Sequence, residues 1–122
     1  MADLRALVVD DTPDIRFMVG FQLKRVGISF EEASSGQQAL DRCAGESFDL
    51  VVLDFRMPGL SGVDVARRLR DDNYPAQLII YSAYLDQEVQ AAAQKLDIPA
   101  VDKSDNERLL EVVRNALGLV PA

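Results

Sequence analysis

The sequence predicts an α/β fold, a five-stranded parallel sheet with helices packed on both faces. Three observations carry this reading. Short continuous apolar runs alternate with stretches of helical period, five times over. The strongest runs lack any in–out alternation, as strands covered on both faces require. Parallel neighbours need long crossovers, and the intervening helices supply them.

The elements follow in order. Residues 6–9 (Ala6, Leu7, Val8, Val9) form a buried run closed by Asp10 and Asp11. From residue 14 to 26 the pattern turns helical. Ile15, Met18, Val19, Leu23 and Val26 share one stripe, and Gly27 is the stop signal. Phe17 and Phe21, one helical turn apart, point away from that stripe. Residues 29–33 are a weaker strand. Residues 37–44 make a short helix with Ala39, Leu40, Cys43 and Ala44 inward, Cys43 as a small buried hydrophobe. Residues 50–53 (Leu50, Val51, Val52, Leu53) are the second strong buried strand, closed by Asp54. Met57-Pro58-Gly59 and Ser61-Gly62 mark a loop by their turn residues. Residues 63–70 are helical, and Tyr74-Pro75 ends the next loop. Residues 78–81 form a third buried strand, closed by Ser82. Tyr81 and Tyr84 straddle that corner, and alternation assigns at least one to the core. Residues 86–96 are helical and rich in Ala. Ala100-Val101 is a minimal last strand, closed by Asp102-Lys103. Ser104-Asp105-Asn106-Glu107 reads as a capping box opening a helix through Val112, Val113 and Leu117.

A chain of 122 residues fits a single domain spanning 1–122, large enough to fold on its own core. Thirteen basic against twenty acidic residues give a net charge of −7. Such a field argues against direct binding to nucleic acid or anionic membranes. Met1 leads into Asp3 and Arg5 rather than a long apolar run, so no signal peptide is expected. The one cysteine, Cys43, excludes an internal disulfide, and the absence of His excludes His-built zinc or haem sites. A cytoplasmic setting fits. The tail at 118–122 fits either a natural end or a cut before a linker.

The polar residues that stand out share one address. Asp10, Asp11, Asp54, Ser82 and Lys103 each lie just past the carboxyl end of an expected strand. In an open parallel sheet those ends converge on one crevice, where ligands bind. Each residue alone has an ordinary explanation: an Asp pair as a turn or cap, a Ser as a turn hydroxyl, a Lys as a solvated charge. Four strand ends so equipped would need four coincidences. Three crowded carboxylates resist ionising without a cation, and an oxygen-only set favours a hard ion, Mg²⁺ before Ca²⁺. One hydroxyl and one ammonium facing them complete a pocket for Mg²⁺ and a phosphoryl group.

Val8-Val9-Asp10-Asp11, Val52-Leu53-Asp54 with Met57-Pro58-Gly59, Ser82-Ala83 and Lys103 resemble, in order and spacing, the motifs of the response-regulator receiver family. The likeness covers essentially the whole chain. It implies a doubly wound, flavodoxin-like sheet of strand order 2-1-3-4-5, the family's own order. It implies a phosphoprotein of a two-component or phosphorelay system, a signalling module rather than an enzyme. Asp54 would take a phosphoryl group from a histidine kinase or phosphotransfer protein. Asp11 would ligate Mg²⁺ directly, Asp10 through water, and the backbone carbonyl of Arg56 would add a ligand. Ser82 and Lys103 would each engage a phosphoryl oxygen. The family docks its kinase near the first helix, so exposed Phe17 and Phe21 become candidates for partner docking.

The chain departs from the family in three places. Ser104 follows the lysine where the family usually has Pro, often after a cis bond, so this loop is expected to differ. Ala100 occupies the position of the usual aromatic switch residue, and a methyl group cannot fill the space that a ring would. Leu96-Asp97-Ile98-Pro99 replaces a Gly-containing turn. A weak or rerouted switch is expected, with Tyr84 the best-placed ring to carry it. Beside a stand-alone receiver stands one cut from a longer regulator or hybrid kinase. A haloacid dehalogenase-type phosphatase would need a second Asp two residues after Asp54, where Arg56 stands. Nothing resembles a flavodoxin phosphate-binding loop.

Overall fold

Strand and helix alternate along the chain as the apolar runs require. The computed structural model describes residues 3–119. Its elements are β1 (Arg5–Val9), α1 (Pro13–Arg25), β2 (Ser29–Ala33), α2 (Gly36–Gly45), β3 (Leu50–Asp54), α3 (Gly62–Asp71), β4 (Gln77–Ser82), α4 (Gln87–Lys95), β5 (Ala100–Asp102) and α5 (Asn106–Leu117). All strand pairs are parallel, and the order is β2-β1-β3-β4-β5. Among the described residues no helix is long and apolar enough to cross a membrane. Residues 1–2 and 120–122, including most of the tail read from the sequence, lie outside the described residues.

The period of two along each strand builds two cores. Leu7, Val9, Val51, Leu53, Leu78 and Ile80 face α2, α3 and α4. Ala6, Val8, Leu50, Val52, Ile79 and Tyr81 face α1 and α5. β2 is the weaker strand because it is an edge. Its Glu31 and Glu32 are exposed, and charges on an edge discourage pairing with other chains.

Two local readings change. Ala44 is exposed rather than inward. Ala39 and Cys43, four residues apart, define the buried face of α2, and Ala44 lies a further ~100° round the helix. The expected capping box at Ser104 does not form. The Asp102 carboxylate takes both the Ser104 amide (2.8 Å) and the Ser104 hydroxyl (2.6 Å), so the helix starts one residue later. Asp105 then caps α5 by accepting from the Arg108 amide at 3.0 Å. A capping box does form at Ser61 and Asp64, where α3 begins. The Lys103–Ser104 peptide is trans, like every other described bond.

The start of α3 also fixes the end of β3. The Gly62 amide donates to the Phe55 carbonyl at 3.0 Å. A Cβ on Gly62 would lie 2.2 Å from the Asp54 carbonyl oxygen, so only glycine lets helix and strand approach this closely. Gly62→Ala is therefore expected to lower stability by about 1–3 kcal/mol in urea unfolding. Gly45→Ala, where an added Cβ meets nothing within 4 Å, is expected to be neutral or slightly stabilising. Equal stability of the two variants would contradict this account of Gly62.

Candidate functional site

The strand order reverses between β1 and β3, because β1 leads outward to β2 and β3 leads to β4. A crevice opens at such a reversal, outside the carboxyl ends of the strands. β3 ends on Asp54 and β4 on Ser82, while Asp10 follows β1 and Lys103 follows β5. The sheet thus delivers these residues to one edge. Carboxylate oxygens of Asp10, Asp11 and Asp54 lie within 4.8 Å of one another. Lys103 Nζ sits 2.9 Å from Asp10 Oδ2 and 3.0 Å from Asp54 Oδ1. One ammonium therefore bridges the two buried acids, with Asp11 close by and outside the pair. Asp10 and Asp54 are buried, at 1% and 5% exposure, while Asp11 faces solvent.

Each buried group is held by the chain around it. The Asp10 amide donates to the Ala33 carbonyl at 3.2 Å. Its Oδ1 accepts from the Thr12 amide (2.9 Å), and its carbonyl accepts from Arg16 Nη1 (2.7 Å). Its Oδ2 faces the Lys103 ammonium alone. Arg16 is steadied in turn by Glu32 at 3.0 Å. The Lys103 amide donates to the Ser82 carbonyl (2.7 Å), and the Lys103 carbonyl accepts from the Tyr81 hydroxyl (3.0 Å). Burial pushes the Tyr81 phenol up to about 12, so it stays a donor at neutral pH.

The loops above the strands are also tied. The Ser82 hydroxyl donates to the Tyr84 carbonyl (2.9 Å) and accepts from the Tyr84 amide (3.3 Å). It is thus closed on its own loop. Tyr84 itself is 74% exposed, and Tyr81 is the core member of the pair. The Arg56 guanidinium lies over the Phe55 ring and pairs with Asp86 at 3.0 Å and Glu88 at 3.6 Å. Asp86 caps α4 by accepting from the Val89 amide. Ala100 is half-buried against the α2–α4 core. Phe17 and Phe21 are exposed on α1 and take no part in the crevice.

The charges do not balance. Burial, then the neighbouring charges of Asp10 and Asp11, push the Asp54 carboxyl up to about 6 despite the opposing pull of Lys103. Burial alone would push Lys103 down, yet Asp10 and Asp54 hold it above the usual range. The two directions agree: Lys103 lies between two carboxylates, while Asp54 shares that one ammonium with Asp10 and has Asp11 close by. The donor set is all oxygen, which suits a hard divalent ion such as Mg²⁺.

The family model of the response regulator receiver domain matches residues 6–114. This chain is a response regulator receiver domain. The receiver is 32% identical over 121 residues to response regulator protein PilR of Pseudomonas aeruginosa, a match covering 98% of this chain and 27% of that protein. It is 33% identical over 84 residues to sporulation initiation phosphotransferase F of Bacillus subtilis, across 69% of this chain and 68% of that one. Response regulator protein TrrA of Thermotoga maritima, solved in complex with Mg(2+)-BeF, superposes with a TM-score of 0.84 at 33% identity, over 93% of this chain and 99% of that one. The receiver spans only 9%, 27% and 6% of three longer curated relatives, the last being sensor protein EvgS of Escherichia coli. The receiver is a signalling module rather than an enzyme, and its Asp10, Asp11 and Asp54 pocket is typical of a phosphoacceptor in two-component signalling.

Sequence reasoning brought the acids, Ser82 and Lys103 to one edge, and the structure places them there. It missed the residues that orient them: Thr12, Arg16, Gly62 and the hydroxyl of Tyr81. Tyr81 did carry a signal, since a phenol in a buried aliphatic run needs a hydrogen-bond partner.

The raised carboxyl of Asp54 has a stability consequence. Its folded value, about 6, lies above the ordinary unfolded value. Its contribution therefore favours the fold fully below the unfolded value and is lost as pH rises through about 6. In chelator, wild-type stability should fall relative to Asp54→Asn between about pH 4 and pH 7, by up to ~3 kcal/mol. Urea unfolding across that range tests this, and parallel pH profiles would overturn it.

Proposed function

We propose that this receiver accepts a phosphoryl group on Asp54 from the phosphohistidine of a histidine kinase or phosphotransfer protein, with Mg²⁺ beside it. The observation that carries this is the short of counter-charge Asp54 carboxylate, buried between Lys103 and two further acids. The Mg(2+)-BeF complex of TrrA, whose sequence is 33% identical, supports the same reading.

Asp10, Asp11, Asp54 and the backbone carbonyl of Arg56 are the residues that would hold the ion. Asp11 is the exposed acid and so the one open to a direct contact, while Asp10 is already committed to Lys103 and Thr12. Bound Mg²⁺ supplies the positive charge that lets a phosphoryl dianion approach three carboxylates. A carboxylate oxygen of Asp54 attacks phosphorus, the phosphorus–nitrogen bond breaks, and the imidazole leaves with the electron pair. Lys103 is placed to turn its ammonium from the two acids to a phosphoryl oxygen. Ser82 must give up its bond to the Tyr84 carbonyl before its hydroxyl can serve another.

That exchange is the proposed signal. Ala100 offers no ring to follow Ser82, so the release acts on Tyr84, whose backbone the Ser82 hydroxyl holds at both ends. Tyr84 leads directly into Asp86 and α4. Phe17 and Phe21 are proposed as the face that docks the kinase. The domain is proposed to span residues 1–122 and to act in the cytoplasm through protein contacts. The small share of PilR and EvgS that it covers favours a second reading, a receiver within a longer regulator or hybrid kinase.

With a small acyl-phosphate donor and Mg²⁺, intact mass should show one added phosphoryl group on wild type, none on Asp54→Asn, and none in chelator. Labelling of Asp54→Asn at the wild-type level would sink the assignment. For the switch, beryllofluoride with Mg²⁺ should shift the backbone amides of α4, and Tyr84→Ala should remove those shifts. Shifts in α4 that survive the mutation would clear Tyr84 of the role, and shifts confined to the loops after Asp11, Asp54 and Ser82 would show a local change only.

A further inference from the structure

The outer face of α1 is an aromatic stripe bounded by opposite charges. Phe17 and Phe21 are 67% and 55% exposed, and their rings stack with centroids 6.5 Å apart. Beside them runs a groove of about 350 Å³, lined also by Phe30 and rimmed by Lys24 and Arg25. Phe30 reaches the groove because Gly20 has no side chain: a Cβ there would lie 2.2 Å from the Phe30 ring. Asp14 stands in the first turn of α1, and Lys24 and Arg25 in the last. At 100° per residue, these three and the two phenylalanines fall within an arc of about 100°. The three charges are exposed, and none has an ion-pair partner among the described residues. Arg16, on the flank, is already paired with Glu32.

The order acid, aromatic, aromatic, base is self-complementary. Asp14 and Lys24 are equally distant from residue 19, and so are Phe17 and Phe21. Two copies laid antiparallel across α1 therefore set Phe17 of each on Phe21 of the other. The same pairing sets Asp14 of each on Lys24 of the other, with Arg25 alongside. A two-fold axis makes each of these contacts twice. The arrangement also places each helix N-terminus beside the other's C-terminus, which favours the pairing. The geometry points to a homodimer of this receiver, formed through α1 around Phe17 and Phe21. The inference goes beyond the phosphoacceptor reading and does not depend on it. The net charge of −7 repels copies at long range, so the match is local. A single helix pair lies at the small end of interfaces, so the dimer is weak and concentration-dependent. Where the same face docks a kinase, the dimer withholds it.

Sedimentation at rising concentration of the unphosphorylated chain tests this. Wild-type average mass should climb from monomer toward dimer. Asp14→Lys alone, and Lys24→Asp with Arg25→Asp, each set like charges together and should weaken association at least about tenfold. Combining all three substitutions restores the match and should restore the dimer. Phe17→Ser with Phe21→Ser should leave a monomer whose circular dichroism matches wild type. A wild type that stays monomeric throughout would overturn the proposal, as would a dimer indifferent to Asp14→Lys or a triple variant that stays monomeric. A monomer whose Phe17, Phe21 variant loses only transfer from the kinase would assign the face to the kinase and overturn pairing with a second copy.

Discussion

Lys103 holds its ammonium between the buried carboxylates of Asp10 and Asp54, 2.9 Å from one and 3.0 Å from the other, and the surrounding architecture exists to keep it there. Removing two carboxylates from water is costly, and the cost is bearable only when an opposite charge and hydrogen bonds replace the solvent. The bond to the Asp10 carboxylate comes from the Thr12 amide, while the Arg16 guanidinium holds the Asp10 backbone carbonyl. The opposite charge comes from Lys103, itself fixed through its backbone by Ser82 and Tyr81. With Asp11 close by, the site carries more negative charge than Lys103 neutralises. With that deficit the three acids form a cluster that could bind a metal, as a finished salt bridge could not.

The parallel sheet makes this arrangement possible. Four residues distant in the chain meet because each follows, or ends, a strand running the same way. The two apolar layers make the strands rigid, since every central strand is covered on both faces. Rigidity extends past the strand ends at two points. Gly62 brings the start of α3 onto the Asp54 backbone, and the Ser61–Asp64 box fixes where that helix begins. Asp10 is pinned to Ala33 and Thr12 on either side.

Above this rigid edge the loops are coupled by fewer contacts. The Ser82 hydroxyl closes on Tyr84, and Arg56 reaches across to Asp86, the residue that caps α4. Both links run from a residue at or beside the crevice to the start of one helix. The Arg56 pair is exposed, so its energy is small. Ala100 stands where a ring is usual in the family, and these loop contacts join the crevice to the segment that leads into α4.

Much of this was legible in the sequence, for physical reasons. A buried strand must be continuously apolar, and a polar residue ends it, so Asp10, Asp54 and Ser82 announced both the strand ends and the site. Helix amphipathicity placed Val19 and Leu23 inward and Phe17 and Phe21 outward. Finer readings failed where side chains compete. Ala44 lies round the helix from the face that Ala39 and Cys43 bury, and Ser104 lost its capping role because the Asp102 carboxylate reached it first. The sequence by itself determined the fold class, the strand ends and the acidic cluster, since these follow from local period and polarity. Only the tertiary structure decided which acids Lys103 pairs with, that Tyr81 holds the Lys103 backbone and Arg16 the Asp10 backbone, and that Ser82 turns toward Tyr84. Those choices depend on distances between side chains far apart in the chain, and no local pattern encodes a distance.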